Sequence, residues 1–257
     1  MGRVIFIGAG PGSADLITVR GARLLALADV VLFDALTDPA LREIAPAARW
    51  IDVGKRGFKD STGQGSINAL LVQHAQAAGT VVRLKGGDPS MFGRLEEELD
   101  ALSALGVECE VVPGITAALA AAADTKRPLT RRGQGRSVSF ATAMTRTGEL
   151  RSSRSADTEV FYMAGRQLPA LAAQLVAAGW PADTTASAVS RAGWPDQRHS
   201  THTLAALAEA AALHEGRPTV LIVGAGAAAI AELPPLPERP SLSPLEPGQS
   251  APTGPKP

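Results

Sequence analysis

Two short stretches hold the residue types best suited to chemistry. IGAGPGSADL covers 7–16 and VVRLKGGDPSMFGRLEEE covers 81–98. Each places glycines at the carboxyl end of what reads as a buried strand. Glycine leaves the main chain bare, so a ligand can approach its N–H and C=O groups closely. Asp88 adds a carboxylate acceptor, and Pro89 restricts the backbone of Asp88. A tight turn and nothing more is the plain reading of either stretch alone. Two such turns after parallel strands point to a ligand floor, because open α/β sheets bind at the carboxyl ends of their strands.

The first stretch invites a dinucleotide reading that it does not satisfy. The pattern needs G-x-G-x-x-G; Gly8 and Gly10 fit, but Ser13 takes the third place. Pro11 also removes a backbone N–H that a pyrophosphate would use. Asp34 stands where a ribose-binding acid would, which keeps an NAD-dependent oxidoreductase as a minor alternative. A phosphate-binding P-loop fails, because no Gly-Lys-Ser/Thr follows the turn.

The elements that must position these turns alternate along the first half. Strands are expected over 3–8, 30–34, 50–54, 80–85 and 109–113, and helices over 16–28, 67–78 and 92–105. Strands separated by helices imply a largely parallel sheet with helices on its faces. PGITAALAAAADTKRPLTRRGQGR then reads as a short Ala-rich helix and a basic turn. A second α/β half follows, with strands over 137–142, 159–163, 185–190 and 219–224 and helices over 168–178 and 204–214. The expected division is 1–113 for the first domain, 114–136 for the linker and basic turn, and 137–231 for the second domain. The tail, 232–257, is too Pro-rich for a core and is expected to be disordered.

The 257 residues suffice for two modest cores. Lys+Arg and Asp+Glu are both 25, so the formal charge is zero, which argues against non-specific nucleic-acid binding. Cys109 is the single cysteine, so neither an intrachain disulfide nor a cysteine zinc cluster can form. It reads as a small core residue. His74, His199, His202 and His214 lack zinc-like spacing, and no metal site is expected. No run approaches the ~20 apolar residues of a membrane span, and no signal peptide is evident; a cytoplasmic setting fits.

GAGPGSADLIT, ADVVLFDAL, VGKRG, VVRLKGGDPSMFGRLEEE, EVVPGITAA, RPLTRR and VFYMAG occur in this order. Together they resemble the tetrapyrrole methylase family, and within it the members that methylate uroporphyrinogen III. The resemblance covers about 2–226. It implies two α/β domains, each a mixed, largely parallel sheet flanked by helices, with the active site in the trough between them, and a homodimer. It implies S-adenosylmethionine as methyl donor and two methylations of uroporphyrinogen III, at carbons 2 and 7, giving precorrin-2 through precorrin-1. The chain opens directly on the methylase motif, so later oxidation and iron insertion are expected to fall to separate proteins.

Carried over by position, the resemblance implies cofactor contacts at Pro11, Gly86, Gly87, Asp88, Met91, Thr116, Ala117, Met163 and Ala192. At the last, the family usually has Gly-Thr where this chain has Ala192-Gly193. Asp34 and Lys55 match the family's proton acceptor and donor, and Arg94, Glu97 and Arg132 match positions near the substrate. Each has a plainer reading. Asp34 can be a turn carboxylate, Lys55 a solvated loop lysine, and Met163 a core methionine. Glu96, Glu97 and Glu98 form a charge run that suits a helix N-terminus, and Glu97 lies on the same helical face as Arg94. Eight substrate carboxylates call for fixed cations, which arginine supplies best. Arg131 stands where the family commonly has histidine.

Rival readings are a sibling methylase acting on a later precorrin, rRNA or diphthamide, the oxidoreductase above, and a non-catalytic binding module that keeps the fold.

Overall fold

The computed structural model describes residues 2–54, 63–144 and 154–230. Lys55 and the tail from 231 lie outside them.

Five strands form the first sheet: β1 (Arg3–Gly8), β2 (Val30–Phe33), β3 (Arg49–Asp52), β4 (Thr80–Lys85) and β5 (Cys109–Val112). Their spatial order is β3-β2-β4-β1-β5, and every pairing is parallel. A strand buried on both faces needs continuous apolar residues rather than alternation. Val4 and Phe6 enter one core with Leu32 and Val81, while Ile5 and Ile7 enter the opposite core with Val31 and Leu84. Burying each of these side chains fully contributes roughly 1.5–3 kcal/mol.

Helices α1 (Val19–Leu25), α2 (Gln64–Ala77) and α3 (Leu95–Ser103) belong to this half. Thr18 caps α1 by accepting from the Gly21 N–H at 3.1 Å. This cap starts the helix later than the apolar spacing suggested, and a separate 3-10 turn covers Ala14–Leu16. On α2, Ile67, Leu71 and Ala75 repeat every four residues and are all buried.

The second half carries α4 (Ala117–Asp124), then β6 (Val138–Thr142), β7 (Thr158–Tyr162), α5 (Leu168–Ala177), β8 (Thr185–Ser190), β9 (Arg198–Thr203), α6 (Ala211–His214) and β10 (Thr219–Gly224). Its sheet runs β6-β7-β10-β8-β9. Only β6 and β7 pair in parallel; the other three pairings are antiparallel. The sheet is mixed as expected, and the largely parallel character belongs to the first sheet. The difference comes from β9, whose sequence RHSTHT has no apolar alternation to announce a strand. Among the described residues it sits at the sheet edge and pairs with β8 alone. The single helix expected over 204–214 is broken into a 3-10 turn, Leu207–Ala210, and the short α6. Among the described residues, no helix is long and apolar enough to cross a membrane.

Candidate active site

The strand order places β4, β1 and β5 side by side with their carboxyl ends aligned. Three glycine-bearing turns therefore emerge together: Gly8–Gly12 after β1, Gly86–Asp88 after β4, and Pro113–Thr116 after β5. Gly10 and Gly87 exchange backbone hydrogen bonds of 2.7 and 3.3 Å. Both have positive φ, 82° and 71°, a region open to glycine. A Cβ on Gly114 would lie 2.3 Å from the Gly87 carbonyl oxygen, and one on Gly8 would lie 2.5 Å from Gly114 Cα. The turns touch backbone to backbone, and only glycine permits that approach.

Asp88 fastens the cluster. Its Oδ1 accepts from the Ser90 N–H at 2.8 Å and its Oδ2 from the Gly114 N–H at 2.9 Å. The carboxylate thus ties the β4 turn to the β5 turn, a link the sequence did not reveal.

Above these turns lies a cleft that both halves of the chain line. The first half supplies Pro11, Leu36, Gly86, Gly87, Asp88, Met91, Thr116 and Ala117, and the second Tyr162, Met163, Arg191, Ala192 and Trp194 among others. All nine residues expected from the resemblance to contact a cofactor are in this lining. The cleft encloses about 160 Å³. A larger cavity, about 500 Å³, is lined among the described residues by positions between 134 and 228, none of them a glycine.

Several lining residues escaped the sequence reading. The Tyr162 hydroxyl and Thr116 Oγ1 lie 2.7 Å apart and join β7 to the start of α4. Burial pushes the Tyr162 phenol above its usual pKa, and the hydrogen bond to Thr116 opposes this only in part. Trp194 Nε1 donates to the Pro11 carbonyl at 3.1 Å, and the Ser13 N–H donates to Gly193 O at 3.0 Å. The loop at 191–197 is thereby docked onto the first glycine turn. Met163 and Arg191 are held at φ 58° and 51°, and Phe92, whose ring lies 5.0 Å from that of Tyr162, at 57°. Bulky residues persist in the left-handed region only where their surroundings fix them, and such strain gathers at functional sites.

Beside the cleft runs a buried set of charges. Arg83 donates from Nη2 to Asp34 at 2.6 Å and from Nε to Glu98 at 3.2 Å. Lys85 Nζ bonds the other Glu98 oxygen at 2.7 Å. The side chains of Arg83, Lys85 and Glu98 are no more than 3% exposed, whereas Asp34 is 31% exposed. Burial pulls the Lys85 ammonium below its usual pKa, with Arg83 nearby adding to the shift and Glu98 opposing it. Glu98, read in sequence as one of three charges at a helix start, is instead the hub of this set. An arginine inside the apolar run VVRLK was the available signal, since a buried guanidinium must find partners.

The expected substrate residues stand apart from the cleft lining. Arg94 and Glu97 form a two-bonded ion pair, 2.7 Å for each bond, as their spacing suggested. Both are about half exposed. Arg132 is exposed in the turn after α4, while neighbouring Arg131 donates to the carbonyls of Ala228 and Ala229. Asp34 flanks the cleft without lining it: its backbone N–H bonds Leu84 O at 3.2 Å, and Leu36, two residues on, lines the wall. Among the described residues, no group of three or more His, Cys, Asp or Glu side chains could hold a metal ion.

The model of the tetrapyrrole (corrin/porphyrin) methylases matches residues 3–208. The chain belongs to this family. It is 40% identical over 228 residues to a uroporphyrinogen-III C-methyltransferase of Pseudomonas aeruginosa, covering 87% of this chain and 93% of that protein. It is 44% identical over 230 residues to a siroheme synthase of Pseudomonas fluorescens, covering 87% of this chain. The chain spans about half the length of the siroheme synthases it matches. In structure it is similar to a uroporphyrin-III C-methyltransferase of Thermus thermophilus solved with S-adenosyl homocysteine. That match has a TM-score of 0.76 and 36% identity, and covers 87% of this methylase-family chain and 97% of the other.

Proposed function

We propose that the chain is an S-adenosylmethionine-dependent C-methyltransferase that methylates uroporphyrinogen III at carbons 2 and 7, giving precorrin-2 through precorrin-1. One observation carries this reading: the nine positions matched to cofactor contacts, scattered from Pro11 to Ala192, line a single cleft. The similarity to uroporphyrinogen methyltransferases supports the choice of substrate.

The lining suits such a methyl donor. Backbone groups of the 86–88 turn, Asp88 and the Thr116–Tyr162 pair offer polar partners, and Met91, Ala117, Met163 and Ala192 offer apolar walls. Bound there, S-adenosylmethionine supplies an electrophilic methyl group to an electron-rich pyrrole carbon. Transfer of this kind is in line, so the main task of the protein is alignment. Three turns locked by backbone contact, with Trp194 tied to Pro11, give a rigid frame for it.

A methylated ring must then lose a proton. Asp34 is the acceptor of that proton in this reading, and Lys55 is the residue that the resemblance assigns as donor. Arg94, Glu97 and Arg132 meet the substrate carboxylates. The reading divides the chain into units at 1–113 and 137–231, joined through 114–136, with the active site in the trough between them. It takes the working form as a cytoplasmic homodimer.

Anaerobic incubation of the protein with S-adenosylmethionine and uroporphyrinogen III, followed by mass analysis of the oxidised product, tests the proposal. A gain of two methyl groups is expected. No gain, with donor binding intact by calorimetry, would move the substrate to a sibling methylase's.

A further inference from the structure

The charges beside the cleft are costly to bury. Removing an ion from water costs several kcal/mol even after relaxation, and apolar residues of similar volume often serve stability as well or better. Yet this chain buries Arg83, Lys85 and Glu98 together and leaves only Asp34 partly open to solvent. The four charges sum to zero, which makes the burial tolerable without explaining why it is there.

Geometry supplies the explanation. Arg83 sits in the middle of β4, and all three of its nitrogens are engaged. Nε bonds Glu98, Nη1 bonds the carbonyls of Leu32 and Leu84 at 3.4 and 3.2 Å, and Nη2 bonds Asp34. Glu98 is held in turn by Lys85 and by Gln64 Nε2 at 3.2 Å. A planar guanidinium fixed through every nitrogen cannot swing, so it presents its Nη2 N–H in one direction. That direction is the carboxylate of Asp34. The immobile end of the set is buried, and the open end flanks the cleft.

We propose that Arg83 is a positioning residue for Asp34: anchored by Glu98 and two strand carbonyls, it holds the Asp34 carboxylate in the orientation from which it accepts the substrate proton. This rests on the reading of Asp34 as proton acceptor.

A double-mutant cycle tests it, using Arg83→Lys, Asp34→Asn and the two combined. Lysine keeps the charge and loses the fork. In Arg83→Lys, kcat should fall about 10- to 100-fold while KM for uroporphyrinogen III and Kd for S-adenosyl homocysteine stay close to wild type; Tm falls as well, because lysine leaves buried partners of the guanidinium unpaired. In the Asp34→Asn background the same change should cost nothing further in kcat, because a residue that acts through Asp34 has nothing left to act on. Should Arg83→Lys fail to fold, Glu98→Gln, which loosens the anchor and leaves the Arg83–Asp34 pair in place, is read by the same measures. Wild-type kcat in the position 83 variant would overturn the proposal. So would equal losses in both backgrounds, or a fall in kcat accompanied by a rise in KM and Kd, which marks a structural role only. Wild-type kcat in Asp34→Asn alone would instead overturn the reading of Asp34, leaving Arg83 nothing to position.

Discussion

Tyr162 and Thr116 meet across the cleft, hydroxyl to hydroxyl at 2.7 Å, and join the end of β7 to the N-terminus of α4. The pair crosses between the two halves in the cleft proposed to hold the methyl donor. A single neutral hydrogen bond contributes about 1 kcal/mol, so Tyr162→Phe should weaken S-adenosyl homocysteine binding by about 3- to 10-fold and lower Tm only slightly. Calorimetric titration of the variant checks this; an unchanged Kd would remove Tyr162 from the site. The phenol's pKa is raised by burial, so the folded state keeps its proton longer than the unfolded chain does. Its contribution to stability is therefore whole below about pH 10 and is lost above it. Melts between pH 9 and 11 should fall more steeply for wild type than for Tyr162→Phe.

Asp88 ties two turns together and, in the proposed function, also faces the methyl donor. Hydrogen bonds to a charged acceptor contribute about 1.5–3 kcal/mol each, and Asp88 accepts two, from Ser90 and Gly114. Asp88→Ala should lower stability by about 3 kcal/mol and weaken cofactor binding more than 10-fold, because the turns that form the floor come apart. Urea unfolding and calorimetry read the two effects separately. A folded variant with wild-type affinity would contradict the assignment.

The turn cluster should be intolerant of a single methyl group. In Gly114→Ala the new Cβ meets the Gly87 carbonyl, and backbone must shift. Overpacking of this kind costs about 1–3 kcal/mol, and cofactor binding should be lost with it. Gly65→Ala is the matched control. It lies in α2 with no atom of the described residues within 4 Å of the added Cβ, so it should raise stability by about 0.5–1 kcal/mol. If both variants bind and melt alike, close approach of the turns is not what these glycines provide.

His214 is fully buried, with Nε2 2.9 Å from Ser200 Oγ, and burial lowers its pKa from 6.5 to about 4. Between these values the unfolded chain takes up a proton that the folded chain refuses. Stability is thus intact above pH 6.5 and falls as pH drops towards 4, by up to about 3 kcal/mol. Denaturant melts across this range should show the loss in wild type and a shallower one in His214→Gln. Equal slopes would place the titration elsewhere.

The glycine turns were legible because the feature that makes them, a run of small residues after an apolar strand, is local. The strands of the first half were legible for the same reason: Val4–Ile7 and Val81–Leu84 are buried on both faces. Partners distant in sequence were not. Nothing beside Asp88 announces that its carboxylate reaches Gly114, and nothing in EEE separates buried Glu98 from exposed Glu97. Arg83 could have been flagged inside its apolar strand, but its partners Asp34 and Glu98 lie 49 and 15 residues away. The polar edge strand β9 carried no apolar alternation, and with it the antiparallel part of the second sheet was lost. Tyr162, next to Met163, carries no local signal of its place in the cleft, since a tyrosine in a strand is ordinarily core.

The most direct test of the central claim uses S-adenosylmethionine labelled with ¹³C in its methyl group. The protein is incubated anaerobically with uroporphyrinogen III, and the product is examined by NMR. Two labelled methyl groups, attached at carbons 2 and 7, are the expected result. Label at other positions, or on no tetrapyrrole while the donor still binds in the cleft, would contradict the account.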